Sequence, residues 1–236
     1  PNVSSWVMEL SNRYFLGAFY NTATVGIYSA AFSVASLLMI TQSAVNFVLL
    51  PITSRFWNET NYDQVRYFLT AALKLNLFFC IPMVCGLTVL AMPILRIFTT
   101  SEIAAAGWKI VPVISLAYLC NAIAGTWGTV FLLTKRPEIS GYLMLAGAGL
   151  NLILNTVLIP QFNLTGAAAA TLIVYFFLAI AAVVVAGRYF PFPAEFEFIL
   201  KITAAAAGMS GFLFVFFLES TKWQTIGAVG AGFIVY

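Results

Sequence analysis

The 236-residue sequence contains no histidine and few charged side chains. Asp, Glu, Lys and Arg make up 8% of it, whereas soluble domains carry about 25%. The absence of histidine excludes imidazole bases and imidazole metal ligands within this chain. Its three cysteines, Cys80, Cys85 and Cys120, lie inside apolar runs without zinc-type spacing, so we expect packing residues. No G-x-x-x-x-G-K-[ST] loop is present. We therefore predict no metal, no other cofactor and no bound ATP.

The net charge of +3 is spread over short loops, with no basic run of the kind that binds nucleic acid. We therefore predict no nucleic-acid partner. Hydrophobic residues instead make up 62% of the chain, and the mean hydropathy is +0.97. These values are typical of an integral membrane protein.

Seven apolar runs are long enough to cross about 30 Å of hydrocarbon as helices. They are 3–20, 25–50, 67–92, 109–133, 139–159, 164–186 and 198–218. Their lack of alternation argues against a membrane barrel, so we predict an all-α, multi-span helical bundle. An eighth run begins at Trp223 and is cut off at Tyr236. Because the chain begins at Pro1 without a methionine, we expect it to be a piece of a longer protein.

The longest segments between these runs are 54–66, 97–108 and 188–197. We expect a polar elbow at 51–66, where a span ends near Pro51. None of the three segments is large enough to fold as a soluble domain. The function must therefore lie among the helices.

An acid and a base lie four residues apart inside the first run, Glu9 and Arg13. At helical spacing they share one side of a helix with Asn12. A charge at the centre of a membrane helix costs roughly 2.5 to 3.5 kcal/mol, so this side needs shelter from lipid. Two interpretations remain open. The pair could form an internal salt bridge that neutralises a buried helix, or it could line a polar cavity in which Arg13 meets an anionic ligand or Glu9 titrates.

Other polar residues recur at helical spacing inside the runs. We count Ser33, Gln42, Asn46 and Lys74 as further cavity candidates. A second group, Gly147, Asn151 and Asn155, is typical of helices that approach closely and hydrogen-bond to each other. We predict a packing role for that group.

Five segments together resemble the C-terminal lobe of the polysaccharide-biosynthesis, or O-antigen (Wzx-like), flippases. This family shares a superfamily with the multidrug and toxin extruders and the peptidoglycan lipid flippases. The segments are SNRYFLG at 11–17, VGIYSAA at 25–31, the elbow at 51–66, LNLILNTVLIP at 150–160 and LTGAAAAT at 164–171. Each segment is built of common residues, and the specificity lies in their order and spacing.

This resemblance implies one lobe of a two-lobed flippase, with 1–236 as the C-terminal lobe of about seven complete spans and a truncated eighth. Members of the family move undecaprenyl-diphosphate-linked oligosaccharides across the bacterial inner membrane by alternating access, for O-antigen, lipopolysaccharide or exopolysaccharide export. The implied partners are this lipid-linked substrate, the membrane, an N-terminal lobe of the same protein and polysaccharide assembly proteins. The resemblance places Arg13 at the Arg of the family's Asp-Arg-x-x-Leu-Gly segment. Asn12 stands where Asp is frequent, which leaves Glu9 as the nearest acid.

Two other functions compete with this one. A cation-coupled multidrug exporter of the same superfamily would use Glu9 as its coupling acid. A membrane glycosyl polymerase or ligase generally needs a large external loop with charged residues, and the segment 97–108 offers only Glu102 as an acid. We therefore predict a transporter and not an enzyme.

Overall fold

A computed structural model describes residues 3–193 and 196–218, which form helices and, within these ranges, no strand. The helices are α1 (Val3–Phe19), α2 (Thr22–Ala35), α3 (Leu38–Asn58), α4 (Tyr62–Phe98), α5 (Ser101–Gly107), α6 (Val111–Leu133), α7 (Pro137–Tyr189) and α8 (Phe196–Leu218). A 3₁₀ turn, Trp108–Ile110, joins α5 to α6. The predicted eighth run, 223–236, lies outside the described residues.

Three helical stretches in the described part are long and apolar enough to cross a membrane. They are α4, the stretch Ser101–Leu133 and α7. A fourth is formed by α2 and α3 if the two are counted as one span with a bend of 45° between them. The described part of the chain therefore has several stretches suited to a bilayer.

Serine hydroxyls accompany the bend between α2 and α3, which the sequence had suggested as one run over 25–50. Ser33 donates to the carbonyl of Ser29 at 2.9 Å, and Ser36 donates to that of Ser33 at 2.8 Å. Such back-bonding competes with the backbone ladder and often bends helices. The residues between the two helices, Ser36 and Leu37, follow directly on this pair.

The expectation of a polar elbow over 51–66 was wrong in its extent. Helix α3 continues through Pro51 to Asn58, and the turn itself is short. Thr60 adopts a left-handed conformation, with φ of 56°, and the Asn61 side chain caps the start of α4.

The segment 97–108 is also more ordered than a loop. The Thr100 hydroxyl accepts a hydrogen bond from the backbone N–H of Ile103 at 3.5 Å, and this cap begins α5. Ala104 and Gly107 of this short helix are buried. Helix α5 therefore packs into the bundle, between α2 and α4.

Helix α7 is two helical halves folded into a hairpin at Asn163. That residue has φ of 52° and ψ of −128°, so the helical path is interrupted there. A Cβ built on Gly147 would lie 3.1 Å from the Leu178 side chain, which shows that the halves are close. At the open end, Arg136 donates to the Tyr189 hydroxyl at 3.0 Å. Both pairs are centred on Asn163, as an antiparallel arrangement requires.

Helix α6 lies at the centre of the bundle and packs against α2, α3, α4 and α7. One end of the bundle is filled by Tyr28, Leu95 and Tyr118, among other buried apolar residues. The other end contains Trp127, whose ring stacks on Phe192 with 3.9 Å between centroids. With α6 fixed on four sides, the hairpin α7 can hold α1 against its outer face.

The turn of the α7 hairpin depends on Gly166. A Cβ at this position would overlap the carbonyl oxygen of Leu158 in the other half of the hairpin. Helix α1 reaches the same turn, where the Tyr20 hydroxyl lies 3.2 Å from the Ile159 carbonyl oxygen and 3.1 Å from that of Pro160. This hydroxyl satisfies backbone acceptors that the break in the helix leaves free.

We predict that Gly166→Ala destabilises the protein by about 3 kcal/mol, because the added methyl group forces the two backbones apart. Gly149→Ala is the matched control, since Gly149 lies in the same helix with no atom within 4 Å of its added Cβ. That change should be neutral or stabilising by up to about 1 kcal/mol. Thermal unfolding of both variants in detergent measures the difference, and equal melting temperatures would contradict the prediction.

Candidate functional site

A cluster of buried, uncharged polar side chains joins α1 to both halves of α7. Every member is less than 10% exposed, and one member comes from α2. The cluster consists of Ser11, Asn12, Tyr28, Asn151, Asn155 and Thr171. Because lipid offers no hydrogen-bond partner, side chains of this kind must satisfy one another.

Asn12 lies at the centre of this polar cluster. Its Nδ2 donates to the Tyr28 hydroxyl and to Thr171 Oγ1, both at 2.8 Å. Its Oδ1 accepts a hydrogen bond from Asn155 Nδ2 at 2.7 Å. Both amide hydrogens of Asn12 are therefore used within the protein. One side chain links α1, α2 and the two halves of α7.

The first half of α7 supplies two amides four residues apart. Ser11 donates to Asn151 Oδ1 at 2.6 Å, and Asn155 Nδ2 lies 3.0 Å from the same oxygen. Residues i and i+4 share one face of a helix, which brings both amides onto α1. The predicted packing role of Gly147, Asn151 and Asn155 is confirmed. Gly147 continues the face towards Leu178.

A cavity lies beside this cluster, and Glu9 contributes the carboxylate of its wall. The wall consists of Met8, Glu9, Asn12, Phe32, Asn151, Thr171, Val174 and Tyr175. Glu9 is half-buried and forms no hydrogen bond or ion pair with any described side chain. The three cluster members in the wall, Asn12, Asn151 and Thr171, hydrogen-bond within the cluster. The carboxylate therefore borders polar groups that are already engaged.

Arg13 lies one helical turn beyond Glu9. Its guanidinium carbon is 5.4 Å from the centroid of the Phe32 ring, a cation–π contact. Its Nε is buried without a hydrogen-bond partner in the described part of the chain. The internal Glu9–Arg13 bridge, one of the two interpretations of the sequence, is not formed. The structure instead brings Glu9, Asn12 and Arg13 around Phe32.

The other sequence candidates lie elsewhere in the bundle. Gln42 and Asn121 pair α3 with α6, since Gln42 Nε2 donates to the Asn121 carbonyl at 3.1 Å and Asn121 Nδ2 donates to Gln42 Oε1 at 3.3 Å. Asn46 lies beside them at Gly125, and its Oδ1 is buried without a described partner. The amides of α3 thus face α6 and not α1.

Ser33 and Lys74 are also separate from the Glu9 cavity. Ser33 is exposed and bonds to its own helix. Lys74 Nζ lies 5.3 Å from the centroid of the Phe198 ring, at the contact between α4 and α8. The described residues contain no group of three or more His, Cys, Asp or Glu side chains placed to hold a metal ion.

Sequence reasoning missed Tyr28 and Thr171 as members of the polar cluster. Tyr28 looked like one aromatic residue among many, and Thr171 ended a run of alanines. The sequence indicated both residues indirectly, because Tyr28 and Thr171 lie inside the segments 25–31 and 164–171 that carry the family resemblance. Those segments meet at Asn12.

The chain matches one protein-family model and two curated flippases. Residues 2–157 match the model of the MatE family. The probable low-salt glycan biosynthesis flippase Agl15 of Haloferax volcanii is 24% identical over 156 residues, covering 66% of this chain and 33% of that protein. The probable flippase AglR of the same organism is 27% identical over 173 residues, covering 72% of this chain and 35% of that protein.

The fold is similar to that of the lipid II flippase MurJ, solved in its inward closed conformation. The TM-score is 0.86 at 22% identity, over 99% of this chain and 50% of that one. This likeness confirms the predicted fold class, an all-α integral membrane helical bundle. The chain spans about a third of the length of the curated relatives it matches.

We predict that Asn12 and Asn155 are energetically coupled. In membrane proteins such interhelical hydrogen bonds have coupling energies that average about 0.6 kcal/mol and reach about 1.7. A double-mutant cycle of Asn12→Ala and Asn155→Ala should give about 1 kcal/mol, because each change leaves the other amide short of a partner. Unfolding in mixed micelles supplies the four free energies.

The neighbouring Thr156 provides the control for that cycle. It is exposed and donates only to its own helix, at the Ile153 carbonyl. A cycle of Asn12→Ala with Thr156→Ala should give no coupling. Equal coupling in the two cycles would show that the cluster does not join α1 to α7.

Proposed function

We propose, from the premise that the chain belongs to the MatE family, that it forms half of a membrane transporter that moves lipid-linked glycans from one leaflet to the other. Flippases of this family and of the MurJ type are transporters and not enzymes. The match to two flippases, one of them named for glycan biosynthesis, supports this substrate class. The observation within the chain that carries the proposal is the state of Arg13.

Arg13 is a cation in the largely apolar helix α1, without an anionic partner in the described residues. Such a charge is expensive in a bilayer and normally faces a cavity or pairs with another charge. Its Nε is buried and its guanidinium rests on the Phe32 ring, so the side chain is oriented before any ligand arrives. A guanidinium presents parallel N–H donors that match two phosphate oxygens. We assign to Arg13 the phosphate that joins the glycan to its lipid.

The same proposal extends to the lobe that this chain forms, the lipid carrier, the glycan cargo and the membrane. We place this chain as the C-terminal lobe, with an N-terminal lobe completing the cavity. We propose undecaprenyl diphosphate as the carrier and O-antigen or exopolysaccharide units as the cargo, in the bacterial inner membrane. The two curated relatives come from Haloferax volcanii, an archaeon, so a related polyprenyl phosphate carrier is the alternative. Both carriers share the phosphate that Arg13 would bind.

A cation-coupled multidrug exporter is the second candidate, and Glu9 is the observation that favours it. This carboxylate borders a cavity and forms no ion pair with the described residues, as a coupling acid requires. Export of small cationic dyes that depends on Glu9 and on an ion gradient would favour this function over glycan transport.

We predict that Arg13→Ala lowers glycan translocation by about tenfold or more, since a hydrogen bond to a charged group contributes about 1.5 to 3 kcal/mol. Arg13→Lys should retain part of the activity, because lysine keeps the positive charge but cannot form a bidentate hydrogen bond to phosphate. Complementation of a flippase-null bacterium by the full-length gene, with surface polysaccharide as the readout, measures both.

Arg55→Ala is the matched control for this experiment. Arg55 lies at the exposed end of α3 and pairs with Glu59 at 3.0 Å. The loss of an exposed pair should leave translocation unchanged. If Arg13→Ala inserts normally and restores full surface polysaccharide, Arg13 has no part in binding the substrate.

A further inference from the structure

Three basic side chains lie at the open end of the α7 hairpin. Lys135 and Arg136 belong to the turn between α6 and α7, and Arg188 lies in the last turn of α7. The hydrogen bond from Arg136 to the Tyr189 hydroxyl joins the two ends of the hairpin. All three basic side chains are exposed, and none of them lines the Glu9 cavity. We call Lys135, Arg136 and Arg188 the hairpin cations.

The hairpin cations form no ion pair within the described part of the chain. Other basic residues at this end of the bundle do, since Arg55, Arg66 and Lys201 each pair with an acid in their own helix. Glu138 is the acid nearest to the α6–α7 turn along the chain, so positive charge predominates among the hairpin cations and Glu138. A cluster of like charges of this kind attracts an anion.

Lys135 has its charge at a position that favours glycine. Its φ of 57° is left-handed. The turn has the two hydrogen bonds of a Schellman motif, from the Lys135 N–H to the Leu132 carbonyl at 3.1 Å and from the Arg136 N–H to the Phe131 carbonyl at 2.8 Å. Glycine adopts this conformation without the steric cost that a Cβ adds. A binding role for the lysine charge would account for that cost.

The hairpin cations stand where two apolar stretches reach the surface of a bilayer. The stretch Ser101–Leu133 ends shortly before Lys135, and α7 begins at Pro137, directly after Arg136. Tyr189, which Arg136 contacts, is 40% exposed. Tyrosines are enriched at the boundary between the hydrocarbon and the headgroups. The hairpin cations therefore lie at the depth of the lipid phosphates.

Exposed apolar side chains continue from the hairpin cations along both halves of α7. The antiparallel register of the hairpin places Tyr142 near the level of Val184, and Leu145 near the level of Ile180. These four side chains are between 49% and 69% exposed. They offer an apolar surface to the acyl chains of a lipid whose headgroup lies at the cations.

We infer that the hairpin cations bind the headgroup of an anionic phospholipid such as phosphatidylglycerol, with its acyl chains along α7. Arg136 is already oriented, because its guanidinium lies 5.0 Å from the centroid of the Tyr189 ring. A guanidinium has five N–H donors, and the Tyr189 hydroxyl accepts from Nη1 alone at 3.0 Å. Basic clusters beside membrane helices attract lipids with a net negative charge. This site does not depend on what the protein transports.

The test measures which lipid collects at this end of α7 in a bilayer. Gly141→Cys is introduced into a cysteine-free form of the full-length protein, and its thiol carries a bimane fluorophore. Gly141 is exposed, and an added Cβ there meets no atom within 4 Å. The protein is placed in phosphatidylcholine liposomes that contain nitroxide-labelled phosphatidylglycerol or nitroxide-labelled phosphatidylcholine at equal mole fraction. Quenching of the bimane gives the relative association constant of each labelled lipid.

Phosphatidylglycerol should associate about tenfold more strongly than phosphatidylcholine or more, since each basic side chain near the surface strengthens the binding of an anionic lipid about fivefold. Lys135→Gly should lower this preference about fivefold, because it removes one charge. The same change should raise the melting temperature, because glycine suits the left-handed turn. A loss of preference in this variant is therefore not a loss of folding.

Thr60→Gly is the matched control. Thr60 has φ of 56° in the corresponding turn between α3 and α4, and it carries no charge. This change should also raise the melting temperature, and it should leave the lipid preference unchanged.

Equal association of the two lipids with the protein that retains all three hairpin cations would overturn the inference. An unchanged preference in Lys135→Gly would overturn it as well. Soluble glycerol phosphate has the headgroup chemistry without acyl chains, and at the concentration of the labelled lipid it should not reduce the quenching. Displacement of the labelled phosphatidylglycerol by glycerol phosphate would assign the cations to a soluble phosphate and overturn the lipid site.

Discussion

The hydrogen bonds between Asn12 and its partners on α2 and α7 fix how α1 lies in this bundle. Helix α1 carries two charges and is a poor membrane helix alone, since the cost of those charges nearly cancels its apolar gain. The polar cluster fixes the position and the orientation of α1 against α7. Asn12 is 2% exposed and Asn155 is fully buried, so in an apolar medium neither amide has an alternative partner in lipid. Any rotation of α1 would break several of these bonds at once.

The orientation of α1 determines where the side chains of Glu9 and Arg13 lie. With Ser11 and Asn12 held against α7, Glu9 comes to the wall of a cavity and Arg13 lies over Phe32. The uncharged cluster holds the helix without neutralising either charge. As a result, neither Glu9 nor Arg13 forms a salt bridge with another described residue. An internal Glu9–Arg13 bridge would instead have neutralised both charges within α1.

Much of the fold could be predicted from the sequence, because long apolar runs permit few structures in a bilayer. The packing face of Gly147, Asn151 and Asn155 was also predictable, since residues at i and i+4 must share a side of their helix. What those amides meet could not be predicted. Tyr28 and Thr171 come from distant segments, and only the fold brings them to Asn12.

Where the structure differs from the sequence-based predictions, particular side-chain contacts account for the difference. The hydroxyls of Ser33 and Ser36 bond back to their own helix where a straight span was expected. At the candidate site, Glu9, Asn12 and Arg13 were correctly placed on one helix, but their pairing was not decided by spacing. An i, i+4 acid and base can bridge or diverge, and the outcome here depends on Phe32, which comes from α2. Gln42 pairs with Asn121 for a similar reason, since both lie where α3 crosses α6.

The measurement that tests this account most directly is the water accessibility of α1 in the full-length protein in membranes. Single cysteines replace Glu9, Ser11, Arg13 or Leu16 in a background that lacks Cys80, Cys85 and Cys120, and a charged, membrane-impermeant thiol reagent is added. Ser11 is 7% exposed and Leu16 is 0% exposed, whereas Glu9 and Arg13 are half-buried. The account predicts rapid reaction at Glu9→Cys and Arg13→Cys and protection at Ser11→Cys and Leu16→Cys. Equal reaction at all four positions, or protection at Glu9→Cys and Arg13→Cys, would contradict it.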